Sequence, residues 1–323
     1  MAYTRSVIIT GGTVNLGYEA ALVIARKHPD WLVVLCSRSD TKQAALAINK
    51  TLRQKNTTYL PLDLSDSASI RAFASQWTEN KNPPIQALLL NAALQFPAPG
   101  KMVTTKDGIE ATFGITHAGH ALLFHLLCPC LAQSARVVVT SSGVHDPSLT
   151  TGMPVPVYTS ADDLAHPPPA LAEGDGRLHY CNAKLANVLW TYALHARLAQ
   201  RVPDRAITVT AMDPGLMPGT GLAREYPPVL KFLWNYILPR LRWLMNPLLG
   251  NNVHSAADSG ASLARLAVSD DVAGVSGKYF EGKKERDSSQ DSYDVEKQDD
   301  LWNWSVKWSA QNEEEVKRFE AFA

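Results

Sequence analysis

Short apolar runs recur along the chain and alternate with stretches of helical character. Ser6-Val7-Ile8-Ile9-Thr10, Trp31 to Cys36, Thr57 to Leu60, Ile85 to Leu90, Ala135 to Thr140, Ala206 to Ala211 and Lys278 to Phe280 read as strands. Between them lie predicted helices: Tyr18 to His28, about Thr41 to Gln54, a segment capped by Ser65 or Asp66 that runs to about Asn80, about Asp107 to Leu131, the run opened by Tyr180, about Asn251 to Val268, and Asp294 to Phe322. A strand that is apolar at every position needs cover on both faces, and intervening helices supply it. The pattern therefore predicts an α/β fold, a doubly wound parallel sheet in a single domain. Ligands of such sheets bind outside the carboxyl ends of the strands.

Four stretches break the alternation. A loop with Pro97 and Pro99 follows Asn91. The segment between Ser142 and Tyr180 holds Pro147, Pro154, Pro156 and Pro167-Pro168-Pro169 with Gly152, Gly174 and Gly176, and reads as an irregular flap over a substrate. Val229 to Leu249 is apolar, but Pro239 interrupts it and Lys231, Arg240 and Arg242 stud it, so it is not a membrane span. It suits a lid over a greasy substrate, an interfacial membrane element or an oligomer contact. Gly282 to Gln290 is polar and reads as mobile.

Composition narrows the classes. The 323 residues are 46% hydrophobic, and 31 basic residues balance 31 acidic ones to a formal net charge of zero, which argues against nucleic acid as a partner. Cys36, Cys128, Cys130 and Cys181 have neither metal-ligand spacing nor the density of a disulfide scaffold. No metal site is expected. The N-terminus runs straight into a strand without a signal-peptide pattern, and a cytoplasmic location is the expectation.

Candidate chemistry sits at the predicted strand ends. Gly11-Gly12-Thr13-Val14-Asn15-Leu16-Gly17 joins a strand to a helix, the context in which glycines let backbone approach a pyrophosphate beside a helix N-terminus. The next strand ends in Ser37-Arg38, about twenty residues on, where a fold preferring NAD usually carries an acid; a guanidinium there suits a 2′-phosphate and so NADP(H). Asp63, before Leu64, is placed to accept from an adenine amino group. Tyr180 and Lys184 are four residues apart and share a helix face, where the ammonium favours phenolate and equips the tyrosine for proton transfer near pH 7.

Taken in order, Thr10-Gly11 to Gly17, Asp63-Leu64, Asn91-Ala92, Ser141-Ser142, Tyr180-x-x-x-Lys184 and Asp213-Pro214-Gly215 resemble the short-chain dehydrogenase/reductases, which have a Rossmann fold. Phe113 to Leu127, Tyr180 to Leu189, Gly277 to Phe280 and Leu301-Trp302-x-x-Ser305 are similar to the retinol-dehydrogenase and protochlorophyllide-reductase-like branch. The resemblance implies a cofactor half at about 1–140 and a catalytic and substrate half at about 141–323. It implies hydride transfer between a nicotinamide and a carbonyl or secondary alcohol of a sizeable apolar or aromatic substrate. In it Tyr180 is the proton donor and Ser142 orients the oxygen. Lys184 lowers the tyrosine pKa and holds the nicotinamide ribose. Pro214, Gly215 and Leu216 to Thr220 border the nicotinamide, with Thr220 a contact to its carboxamide or to the phosphates. Relatives often pair through the helices that here hold residues 107 to 131 and 180 to 200, so a homodimer is a further expectation.

Three residues depart from that pattern. Asn15 replaces a turn glycine, which is tolerable because Asn adopts positive φ more readily than other residues with side chains. Ala93 replaces the glycine that follows Asn91-Ala92. Thr116 stands where the family carries an asparagine that supports a proton-relay water, and His117 beside it is either a substitute or a packed residue. The alternative to a ketoreductase-type enzyme is a cofactor-binding sensor or scaffold with little turnover. A double-bond reductase is disfavoured, because the protochlorophyllide enzymes have a cysteine after Pro-Gly where this chain has Leu216.

Overall fold

The computed structural model describes residues 3–96, 100–221, 227–248 and 252–323. Strands β1 (Arg5–Thr10), β2 (Trp31–Ser37), β3 (Thr57–Pro61), β4 (Ile85–Leu90), β5 (Leu131–Thr140), β6 (Thr208–Asp213), β7 (Lys278–Glu281) and β8 (Lys284–Arg286) form one sheet in the order β8-β7-β6-β5-β4-β1-β2-β3. Every pairing is parallel except the β7–β8 hairpin. The order reverses direction at β1, where β2 and β3 go one way and β4 onward the other, so a ligand crevice opens above β1 and β4.

Helices cover both faces, as the unbroken apolar strands require. On one face α1 (Asn15–Lys27) packs against α8 (Ala256–Val268), and α2 (Ala44–Leu52) lies beside them. On the other face α3 (Ser67–Glu79), α4 (Gly119–Leu127) and α5 (Gly176–Arg201) enclose the larger core, centred on Phe113, Phe124, Trp190 and Trp302. The caps are local sequence effects: Asp66 accepts from Ala68 and Ser69 N–H at the start of α3, Asp175 from Arg177 N–H at α5, and Ser255 and Asp258 form a reciprocal capping box at α8.

Several predicted elements are corrected. The first helix begins at Asn15, ahead of Tyr18, because positive φ (48°) at Asn15 turns the chain directly into it. The segment 107–131 is not one helix. Glu110 caps a single turn (Ala111–Phe113), a π turn follows (Gly114–Ala118), then α4, and Pro129 sits in a terminal 3-10 turn (Cys128–Cys130). The C-terminal segment is two helices, α9 (Val295–Ser309) and α10 (Glu313–Glu320), broken where Asn312 caps the second. The tract 282–290 is ordered by the β8 hairpin and by buried Ser288 and Ser289, whose hydrogen bonds substitute for apolar content.

The Ser142–Tyr180 segment is likewise only partly a flap. Leu149, Thr150, Thr151 and Met153 line the cavity, but Tyr158, Ala161, Leu164 and Ala165 are core residues, and the Tyr158 hydroxyl donates to Asp300. Predicted Pro97, Pro99, Leu222, Leu249 and Asn251 fall outside the described residues. Among the described residues no helix is long and apolar enough to cross a membrane.

Candidate active site

The ends of β1, β4 and β5 are tied together before any ligand is considered. Asn91 Nδ2 donates to Thr10 O (2.9 Å), and the Thr140 hydroxyl donates to Asn91 Oδ1 (3.3 Å). The Thr10 hydroxyl oxygen accepts from the N–H groups of Asn91 (2.8 Å) and Ala92 (3.0 Å). Its hydrogen has two acceptors in reach, His120 Nε2 at 2.8 Å and Leu89 O at 3.2 Å. His120 Nδ1 faces the Thr116 carbonyl at 3.0 Å and must donate to it, and burial lowers the ring pKa to about 4, so the neutral ring can only accept at Nε2, from the Thr10 hydroxyl.

The glycine turn lies over this knot. Gly11 has φ of 65° and Asn15 of 48°. A Cβ at Gly17 would lie 2.4 Å from the Gly11 carbonyl oxygen, and one at Gly12 would lie 2.9 Å from that of Ile9, so no side chain fits at either. Such a turn at the start of α1, lining a cavity, fits a dinucleotide pyrophosphate. Ala93 is exposed at the rim, so its methyl group meets no crowding.

A cavity of about 930 Å³ runs from this turn across the carboxyl edge of the sheet. It brings together Gly11, Thr13, Asn15, Leu16 and Gly17; Arg38; Asp63 and Leu64; Asn91, Ala92 and Ala93; Ser142, Tyr180 and Lys184; and Pro214, Gly215 and Thr220. Thr116 is the exception. It is fully buried behind the wall, with no partner for its hydroxyl among the described residues, and its neighbour Ile115 lines the cavity instead. His117 faces away from the cavity, with Nε2 2.8 Å from Ser305 Oγ and rings of Phe113 and Trp190 beside it. It is a packed histidine.

On α5 the face bearing Tyr180 and Lys184 points at the end of β5. Lys184 Nζ donates to Thr140 O (2.8 Å) and lies 5.4 Å from the centroid of the Tyr180 ring. Asn187, three residues further on the same face, donates to the same carbonyl at 3.1 Å. Burial pulls the Lys184 pKa down to about 7, opposed by the charge of Asp213. The serine pair divides its labour: Ser141 is buried and donates to Lys184 O (2.7 Å), whereas Ser142 is half-buried and lines the cavity. Asp213 turns inward, accepting from Gly215 N–H (2.9 Å) and Asn252 Nδ2 (2.7 Å) and so fixing the start of the Pro214-Gly215 loop.

Some cavity residues escaped the sequence reading. Lys42 joins Arg38 at the adenosine end; at the other end Trp234, from the stretch expected as a lid, lines the cavity with its Nε1 donating to Thr220 O (2.9 Å). The Thr220 hydroxyl itself donates to Met217 O. His145 was not singled out either: Ser289 N–H donates to its Nε2 (3.1 Å), which leaves Nδ1–H to donate to the Ser142 carbonyl (2.7 Å). Its only sequence signal was a histidine three residues after the serine pair.

A Rossmann sheet with a glycine turn at its crossover and a Ser, Tyr and Lys at its edge defines a nicotinamide-dependent oxidoreductase class, and the comparisons agree. The short chain dehydrogenase family profile matches residues 5–161, and an AcuH dehydrogenase domain profile matches 223–317. Protochlorophyllide reductase of Daucus carota is 30% identical over 94% of this chain and 77% of its own. Human polyprenol dehydrogenase and human retinol dehydrogenase 13 are each 30% identical over 94% of this chain and 84% of theirs. A short chain dehydrogenase from Shigella flexneri solved with NADP superposes with a TM-score of 0.60 at 20% identity, covering 88% of this chain and 98% of that one. The chain belongs to the short-chain dehydrogenase/reductase family, in its branch of retinol dehydrogenase and protochlorophyllide reductase relatives.

Proposed function

We propose that the protein is an NADPH-dependent reductase of ketones or aldehydes carried on sizeable apolar or aromatic molecules, or the corresponding alcohol dehydrogenase. The observation that carries this reading is the convergence of Ser142, Tyr180 and Lys184 on the cavity that also holds the glycine turn and Arg38. Bound there, the nicotinamide ring supplies or accepts a hydride at C4. Ser142 donates a hydrogen bond to the substrate oxygen and orients it, and Tyr180 gives that oxygen a proton. The Lys184 ammonium favours the phenolate left behind, and its remaining N–H groups suit ribose hydroxyls.

Preference for NADPH rests on the adenosine end. Arg38 is exposed at the rim with Lys42 nearby, and the Thr13 and Ser37 hydroxyls are linked at 3.1 Å. Asp40, the acid closest in sequence, spends Oδ1 on the Ala44 N–H at the start of α2. An apolar substrate is supported by Leu94, Leu149, Met153, Leu216, Met217 and Trp234 around the nicotinamide end, and retinol and polyprenol, for which two relatives are named, are apolar alcohols. Equal identity to the protochlorophyllide enzymes does not move the reading, because Leu216 follows Pro214-Gly215.

A second reading, a cofactor-binding protein with little turnover, is favoured by one observation: His120 already bonds the Thr116 carbonyl that would hold a relay water. Two measurements test the proposal. NADPH is expected to quench tryptophan fluorescence at far lower concentration than NADH, with Arg38→Ala removing the difference; equal affinities in the parent protein refute the Arg38 role. A screen of ketones, aldehydes and quinones with NADPH oxidation as readout tests turnover, and activity that survives Tyr180→Phe refutes the proton donor.

A further inference from the structure

The segment above the nicotinamide end of the cavity carries its apolar face outward. After α6 (Pro228–Phe232) come a π turn (Leu233–Ile237), a 3-10 turn (Leu238–Arg240) and α7 (Arg242–Leu248). An ordinary surface helix turns its apolar stripe to the core. Here Trp234 alone reaches the cavity wall, while Val229, Phe232, Leu233, Tyr236 and Ile237 recur at helical spacing on the solvent side. Val229 is 71% exposed and Trp243, on α7, 74%. Of seventeen exposed large hydrophobic residues among those described, eight lie in this segment. Isolated exposed apolar residues are ordinary, but a patch of this density marks a contact surface.

The charge pattern selects what it contacts. Between Pro227 and Leu248 the sequence has Lys231, Arg240 and Arg242 and no acid, so the segment itself is cationic; from outside it, Asp258 at the start of α8 lies near Arg242. Two copies meeting through this face would bring like charges together. A lid closing over a substrate would use the inward side, where Trp234 already sits, and would leave the outward stripe in water. Apolar and aromatic side chains flanked by cations fit the boundary between acyl chains and anionic headgroups. We infer that residues 228–248 dock the protein on an anionic lipid bilayer, lying in the interface without crossing it.

The test uses the full chain and needs neither cofactor nor turnover. In vesicle flotation, the protein is expected to bind phosphatidylcholine vesicles that contain phosphatidylserine and to bind pure phosphatidylcholine far less, with Trp243 emission shifting to the blue. Phe232→Ser with Trp243→Ser is expected to abolish binding while melting temperature stays at the parent value. Lys231→Gln with Arg240→Gln and Arg242→Gln is expected to weaken binding to the anionic vesicles on the order of a hundredfold, from the contribution of each basic residue near a charged surface. Three results overturn the inference: no binding to phosphatidylserine vesicles at low salt, binding unaffected by the apolar substitutions, or a dimer in light scattering that those substitutions disperse in a protein that ignores vesicles. The last would assign the face to a second copy.

Discussion

Replacing Lys184 by methionine is expected to remove activity and to make the fold more stable. The ammonium is enclosed, 1% exposed, and its pKa falls from 10.5 to about 7 on folding. That difference of 3.5 (10.5 − 7) corresponds to about 5 kcal/mol at 1.36 kcal/mol per pKa unit, a ceiling for what burying the charge costs at acid pH. Methionine follows the same channel without a charge, and the Thr140 carbonyl keeps its bond from Asn187, so losing the Nζ bond costs only about 1 to 2 kcal/mol. Because the folded pKa lies below the unfolded one, the unfolded chain binds the extra proton between about pH 7 and 10.5, and the parent gains stability as pH rises through that window. The variant should therefore exceed the parent by about 3 kcal/mol at pH 6, and by almost nothing at pH 9.5, where only about 1.4 kcal/mol of the burial cost remains. For 323 residues, with an unfolding entropy of about 2.1 cal/mol/K per residue, 3 kcal/mol raises the melting temperature by about 4 °C. Scanning calorimetry of the cofactor-free proteins at the two pH values decides it. A variant less stable than the parent at pH 6, or a gain of the same size at pH 9.5, refutes the reasoning.

Three further substitutions probe two histidines. His125 is buried among Phe124, Trp302 and Phe319 with neither ring nitrogen partnered among the described residues, and burial lowers its pKa to about 3. One N–H is therefore always unsatisfied, and the unfolded chain takes up a proton below about pH 6.5 that the folded one refuses; His125→Leu should stabilise by about 1 kcal/mol at pH 7 and about 3 kcal/mol at pH 5 in urea titrations. His145→Phe removes the ring that bridges Ser142 O and Ser289 N–H, and is expected to lower kcat by roughly tenfold to a hundredfold with little change in KM, while His145→Gln, which keeps a donor and an acceptor, recovers part of the loss. Equal kcat in all three proteins would show that the tether does not position Ser142.

Much of this site was legible because its residues are defined by backbone demands. Positive φ at Gly11 and Asn15, close packing at Gly17 and helical spacing of Tyr180 and Lys184 are local, and local rules predict them. What was missed depends on partners distant in sequence. The π turn at Thr116 follows the single turn that Glu110 caps and gives its Thr116 carbonyl to His120, and Asp107 to Ile109 stay outside the helix by bonding across the loop to Ser67 and Thr105. Proline content made residues 143–179 look like open loop, whereas Tyr158, Ala161, Leu164 and Ala165 place one side of that segment in the core. In the tract 282–290, serine hydroxyls satisfying each other hold the chain where hydropathy gives no sign of order.

The C-terminal helix has a consequence for how the active site is kept in shape. α9 lies along α4 and α5: Arg197 pairs with Asp299 at 2.7 Å and stacks on Trp302, Trp302 lies against Trp190, and Ser305 meets His117. These contacts brace the two helices from within the same chain. An intermolecular contact that braced the Tyr180 helix would weaken on dilution, as any association does. A covalently attached brace is present at unit occupancy at any concentration, so this part of the support of the Tyr180 helix does not weaken on dilution.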